Sequence, residues 1–377
     1  MHVLRVQQLE SLSSYSQRWD QLAGDCVFRK WVWLSTWWKH YQSLRTNQSL
    51  SVFLVVEEDC SEPSTSPNTQ QLIAVLPCYL DASITRGKVL RLLGDGEVCS
   101  DHLGLLVSPD KLQCASQALA EHLVDCWQDW DLIDFSVVDS DDVGLNALCT
   151  VLESRACHIN RIEGPNTWSI HLPSAWDEFL TQQSKSHRKQ LRRLENRVLE
   201  TRHGIWHPVQ TSEEFDIAWN ILFELHQRRR QSLGEPGCFS SVRWADFHRD
   251  VAQQLLATGH LRLSWLELGG QPVAAEYHLA DQHTTSAYQG GIDPDRLDEE
   301  PGRLSMILTI QQAITEGHSN FDLLRGDEPY KPHWRATPHP TNHIQIVPLR
   351  STARWRYQAW SYLRNARNLT HEFAKTE

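Results

Sequence analysis

The sequence predicts an α/β chain, α+β in the way it segregates its strands, made of two tandem units. Each unit is expected to hold a mixed, mostly antiparallel sheet flanked by helices. Three observations carry this. The chain has 377 residues, and a domain commonly takes ~100–200 residues. Short runs rich in Val, Ile and Leu alternate with stretches of helical periodicity. Gly164-Pro165-Asn166 breaks the chain between two such series. The expected boundaries are therefore 1–163, 164–350 and a C-terminal amphipathic helix over 351–377.

In the first unit a short strand, Val3–Val6, leads into a helix near Leu9–Ala23. Trp31, Leu34, Trp38 and Tyr41 recur at spacings of three and four, which is helical. The runs 51–58 and 71–80 read as a hairpin, joined by a Ser/Pro/Thr loop expected to be mobile. A strand at 88–94 ends at Gly94-Asp95-Gly96. A helix near 110–127, a strand at 131–138, a helix near 143–154 and a strand near 158–162 complete it.

The second unit starts with a strand at Trp168–Leu172 and a short helix at Ala175–Gln183, with Ser174 as its cap. A basic helix follows at Ser184–Arg202, then a strand at Ile205–Val209 and helices at 212–234 and 242–257. Three strands come next, at 261–268, 272–280 and 284–291, the first pair joined by Gly-Gly, a hairpin signal. Pro301-Gly302 opens a helix over Arg303–Glu316, and Gly317 closes it. Phe321–Leu324 is a strand that breaks at Arg325-Gly326 into a polar loop ending at Trp334, and 343–349 is a final strand of this unit.

Composition narrows the function. The formal charge of −11 argues against a general nucleic-acid coat. Nine cysteines are scattered without a CxxC pair, and His333, His339 and His343, though close, fall in a Pro-rich turn region and read as surface residues, so neither a disulfide framework nor a metal is expected. The N-terminal MHVLRVQQLESL lacks the apolar core of a signal peptide. No run approaches the ~18–20 apolar residues of a membrane span. The expectation is a cytoplasmic protein without membrane insertion.

Two stretches suggest anion binding. Lys185, Lys189, Arg193 and Arg197 lie four apart and form one ridge, which suits a phosphorylated or nucleotide-carrying ligand. The helix start at Pro301-Gly302-Arg303 directly follows a strand, and free N–H groups at such a place favour pyrophosphate.

The order of three antiparallel strands, a phosphate-ready helix start and a strand ending in polar residues resembles a GNAT acyltransferase core. The resemblance is closest to the FemAB/CelD-like branch, which carries two such domains. It rests on Trp31-Val32-Trp33-Leu34 with Trp37-Trp38, and on Leu92-Leu93-Gly94 with Ser100-Asp101-His102. Ser186-His187-Arg188, Leu191-Arg192-Arg193, Leu225-His226-Gln227-Arg228-Arg229 and Pro272-Val273-Ala274-Ala275 continue it. Pro301-Gly302 and FDLLRGDEPYKPHW (321–334) complete it, so it covers residues 25–335. The glycine-rich loop of the superfamily is absent.

This resemblance implies an N-acyltransferase that moves an acyl group, acetyl first of all, from acyl-CoA to an amine on a sugar or other polysaccharide or cell-envelope precursor. It implies that N–H groups of Tyr288, Gln289 and Gly290 meet the thioester, and that Gly302, Arg303 and Leu304 hold the pyrophosphate. Glu276 or Asp322 would accept a proton, Tyr330 would protonate the thiolate, and Lys331 would hold a phosphate or stabilise developing charge. Arg188, Arg192 and Asp327 would contact the acceptor. The missing loop leaves two alternatives, an aminoacyl-tRNA-dependent transferase and a non-catalytic scaffold in polysaccharide synthesis.

Overall fold

The computed structural model describes residues 1–42, 47–58, 70–155, 157–197, 201 and 204–373. They form two compact units. The first holds Met1–Gly24, Phe28–Gly164 and the chain from Pro340 on; the second holds Asp25–Val27 and Pro165–His339. Both have the mixed, mostly antiparallel α/β architecture that the sequence predicts.

The first unit begins with β1 (His2–Val6), α1 (Ser16–Ala23), α2 (Trp31–Tyr41), β2 (Gln48–Leu50) and β3 (Val52–Glu58). It continues with β4 (Gln70–Leu76), β5 (Cys78–Ser83), β6 (Gly87–Leu92) and β7 (Leu106–Val107). Next come α3 (Leu112–Asp125), β8 (Leu132–Asp139), α4 (Val143–Ser154) and β9 (His158–Glu163). Strands β3 and β4 pair as expected, but the run 71–80 is two strands rather than one. Pro77 divides them, because it has no N–H for a ladder. Strand β4 joins the sheet β1-β3-β4-β7 and β5 crosses to a second sheet. The Ser/Pro/Thr loop expected between them lies outside the described residues.

The second unit opens with β10 (Thr167–His171), α5 (Trp176–Gln182), α6 (Lys185–Glu195) and β11 (Gly204–Pro208). Then come α7 (Ser212–Ser232), α8 (Val242–Ala257), β12 (Leu261–Leu268), β13 (Gln271–Ala280) and β14 (Thr284–Ile292). It closes with α9 (Pro301–Thr315), β15 (Asn320–Arg325) and β16 (Thr337–His339). Helix α7 carries a complete capping box between Thr211 and Glu214. Gly269 and Gly270, at φ 60° and 79°, make the turn between β12 and β13, a conformation other residues resist. The sheet order is β11-β12-β13-β14-β15-β10-β16. Leu191 and Leu194 of α6, Leu304, Ile307 and Ile310 of α9, and Leu266, Val273 and Phe321 of the sheet share one core.

The chain then returns through β17 (Thr341–Val347) and α10 (Ser351–Phe373). Strand β17 was expected in the second unit. It pairs instead with β8 and β9, inside the first unit's sheet β2-β5-β6-β8-β17-β9. Ile344 and Ile346 are buried there. A short apolar run reads as a strand, but its partners are non-local and leave no mark on the run itself.

Candidate active site

Strands β14 and β15 run parallel, yet they pair only through Thr284–Ser286 and Asn320–Asp322. Beyond that, β14 stays with β13 as far as Ile292 and β15 follows β10 as far as Arg325. A wedge therefore opens between them at their C-terminal ends, the usual place for a ligand at a switch in strand order. Register helps to shape it. Tyr277 pairs with Gln289 and His278 with Ala287, so Tyr288 is the extra residue of a β-bulge. Three residues on, the backbone of His226 in α7 lies so close to Gly291 that a Cβ there would stand 2.5 Å from its nitrogen.

Glu276, on β13, lies over Gly290. A Cβ on Gly290 would come within 2.7 Å of Glu276 Oε2, so glycine is what admits the carboxylate. The Ser305 hydroxyl of α9 donates to Glu276 Oε1. Oε2 lies 3.2 Å from Nε2 of the buried His278. The Gly290 N–H donates to Gln289 Oε1 at 3.1 Å, and the Gln289 amide nitrogen donates to Cys238 Sγ at 3.4 Å. That carboxamide oxygen marks where an acceptor oxygen can sit on β14. The side chain of Tyr288 goes elsewhere: its hydroxyl is 3.0 Å from His248 Nε2 of α8.

The Phe321–Trp334 stretch is held more firmly than a polar loop. Leu324 adopts φ 57°, a conformation uncommon for a side chain of its size. Asp322 fixes it by accepting the Leu324 N–H at 2.9 Å. Lys331 is 1% exposed. Its Nζ donates to the carbonyls of Leu324 (3.0 Å), Arg325 (3.0 Å) and Gly326 (2.8 Å), and pairs with Glu328 at 2.8 Å. An ammonium so fully coordinated clamps the strand end and has no donor left for a phosphate, which corrects its expected role. Asp327 accepts from Asn166 Nδ2 (2.8 Å) and Trp168 Nε1 (3.0 Å), and these bonds hold its pKa down. Asp322 and Asp327 thus both anchor the turn.

Tyr330 is different, being 45% exposed, with no hydrogen-bond partner for its phenol among the described residues. Partial burial first, then the charges of Glu328 and Glu276, push its pKa up to about 12. Its phenol is therefore protonated at neutral pH and sits within the field of Glu276.

The start of α9 departs from the expected pyrophosphate cradle. Pro301 has no N–H, and the N–H groups of Arg303 (3.0 Å) and Leu304 (3.1 Å) bond to the Glu300 carbonyl. Of the three residues expected there, Gly302 has the open N–H among the described residues. Glu300 sits at φ 57°, and its carboxylate pairs with both Arg303 and Arg193 of α6, the latter at 3.3 Å.

Helix α6 is capped by Ser184 and spans Lys185–Glu195; residues 198–200 and 202, at the end of the expected basic helix, lie outside the described residues. Lys185, Lys189, Arg192 and Arg193 are exposed and Arg188 is half-buried. Arg192 stands 4.0 Å from Asp177, and Arg188 has no acidic partner among the described residues. His187 packs edge-on to Trp334 at 5.2 Å. Burial first, and then the charges of Arg303 and His333, lower its pKa. His187 thus sits against Trp334 within the field of Arg303 and His333.

Sequence reasoning missed His278, Ser305 and Glu300. The signal for His278 was present, since Glu276-x-His278 in a strand places both on one face. Ser305 and Glu300 gave no signal beyond an ordinary helix start.

Residues 185–332 match the family model of the acetyltransferase (GNAT) domain. A search of curated proteins finds no match. Among solved structures the chain is similar to FemX, at 10% identity and TM-score 0.62, over 95% of this chain and 99% of that one. A conserved protein of unknown function from Bacteroides thetaiotaomicron is similar at 10% identity and TM-score 0.54, over 92% and 99%. The C-terminal domain of a putative lysylphosphatidylglycerol synthetase from Agrobacterium fabrum is similar at 10% identity and TM-score 0.51, over 90% and 93%. Identities this low speak for fold. Residues 185–332 thus match an acetyltransferase (GNAT) domain, in a chain whose fold is similar to that of FemX.

Proposed function

We propose that the chain is an N-acyltransferase that moves an acyl group, acetyl in the leading case, from acyl-CoA to an amine of a sugar or other polysaccharide or cell-envelope precursor. The supporting observation is the Glu276 carboxylate lying over Gly290 at the wedge, with the protonated Tyr330 in its field. In this reading a neutral amine attacks the thioester carbonyl. The C–N bond forms and the C–S bond breaks. The developing oxyanion takes the Gly290 N–H once the Gln289 carboxamide turns aside. The amine proton goes to Glu276. A phenol as weakly acidic as Tyr330 does not protonate a thiolate alone. It does so as Glu276 passes its proton to the phenolate, which resets both groups. Arg303 would serve the phosphates of the donor and Arg188 the acceptor.

A second donor, aminoacyl-tRNA, is favoured by the start of α9, which offers one open N–H beside the Glu300 carboxylate. Exposed cations along α6 suit a longer phosphate chain equally well. Thermal unfolding with each donor separates the readings. A ligand that binds only the native state, at a hundred times its Kd, adds about 2.7 kcal/mol and raises the midpoint. A rise with acetyl-CoA, followed by acyl transfer to an amine, supports the first reading. A rise with charged tRNA alone supports the second. No rise with either leaves the non-catalytic scaffold.

A further inference from the structure

Helix α10 rests on the first unit by one face. Ala353 is buried, the Tyr357 hydroxyl donates to Gln345 Oε1 at 2.9 Å, and Arg86 lies over the Trp360 ring. Its opposite face is uncovered. Trp355 is 73% exposed, Tyr362 76% and Leu363 58%. Trp355 and Tyr362 are seven residues apart, two helical turns, so they share one line along the helix. Large aromatic groups at such exposure are unusual on a surface with no partner. Ala359, also exposed, lies on the same line between Trp355 and Tyr362.

Charge indicates what covers this face. The chain as a whole has a formal charge of −11, yet Ser351–Phe373 contains four arginines and a single glutamate. Arg354 is exposed and falls beside the aromatic line at helical spacing, whereas Arg356 turns its guanidinium toward Gly87 and Asp131 of the first unit. Tryptophan and tyrosine favour the boundary between water and acyl chains, where a ring is buried and its polar edge stays hydrated. Arginines flanking them reach the headgroups. Among the described residues no helix is long and apolar enough to cross a membrane. A basic amphipathic helix of this kind lies along the surface instead.

We propose that α10 docks the protein on an anionic phospholipid surface, with Trp355, Tyr362 and Leu363 entering the interface and Arg354 engaging the headgroups. The proposal is independent of the acyl-transfer reading, because α10 belongs to the first unit and none of these residues serves the wedge.

Co-sedimentation of the full chain with vesicles tests it. One set holds phosphatidylglycerol and phosphatidylcholine in equal parts, the other phosphatidylcholine alone. Binding should be at least about tenfold tighter to the anionic set and should weaken as salt rises. Trp355→Ala with Tyr362→Ala should loosen it about tenfold or more, and Arg354→Glu should remove most of the anionic preference. All these positions are exposed, so the thermal midpoint should hold. Equal binding to both vesicle sets, or unchanged binding by the double variant, overturns the proposal. So does a vesicle-free, concentration-dependent dimer that the double variant abolishes, since the face would then be covered by a second copy.

Discussion

At Tyr330 and Lys331, neighbours in sequence, burial assigns different work. Tyr330 keeps an exposed phenol near Glu276, whereas the Lys331 ammonium is spent on three carbonyls and Glu328. Steady-state kinetics of Tyr330→Phe should show kcat lower by about a hundredfold with KM for the donor little changed, as expected for a group that acts in proton transfer. Lys331→Ala should act through stability, because it leaves buried carbonyls without a donor; a loss of about 3 kcal/mol or more is expected in urea unfolding. Full stability with lost turnover would return Lys331 to the chemistry. The sequence could not separate the two. Lys-Pro-His-Trp reads as exposed, and nothing local reveals that Leu324 takes a left-handed conformation which turns three carbonyls toward one ammonium.

Among elements, the strands around the wedge and helix α9 were legible, because alternation, the Gly-Gly turn and Pro301-Gly302 are local signals. The close approach of α7 to β14 was not. Gly291 reads as a weak strand residue, yet it is where the His226 backbone meets the sheet. Gly291→Ala should push α7 off β14 and cost about 1–3 kcal/mol, in the range of overpacked sites, with the loss read from the unfolding midpoint. An unchanged midpoint would mean that α7 shifts freely. Register explains why Glu276 was found without its company. The strand pattern gives its face, but the Ser305 contact depends on how α9 packs across the sheet.

Over the whole molecule, the first unit is tied by a buried ionic cluster. Asp134, 5% exposed at its side chain, bonds Arg86 (2.9 Å), Arg91 (3.1 Å), Gln345 (3.1 Å) and His343. Burial alone would raise its pKa, but the His343 bond and charge, followed by Arg91 and Gln345, outweigh it and bring the value down to about 2. An ordinary aspartate titrates near ~3.9. The stabilisation is therefore complete above about pH 4 and disappears as pH falls toward 2, a change of about 2–3 kcal/mol. Asp95 in the same cluster works in the opposite sense, since burial raises its pKa. Comparing wild type with Asp134→Asn isolates the effect: the variant should be less stable at neutral pH and should lose less between pH 4 and 2. Parallel acid profiles would remove the cluster as a source of acid sensitivity.

The path of β17 has a consequence for how the chain is made. Residues 165–339 leave and re-enter the first unit between two adjoining points, where the Gly164 N–H bonds the Thr341 carbonyl at 2.9 Å. The unit that a ribosome starts first is thus the last to be closed, since the strand between β8 and β9 emerges only after the second unit is complete. Until then, β8 and β9 present open edges, the kind of surface on which nascent chains associate wrongly. A chain ending at His339 should keep a folded second unit and a protease-sensitive first one, and limited proteolysis would show which half survives. A premature stop late in the message would accordingly damage the beginning of the protein.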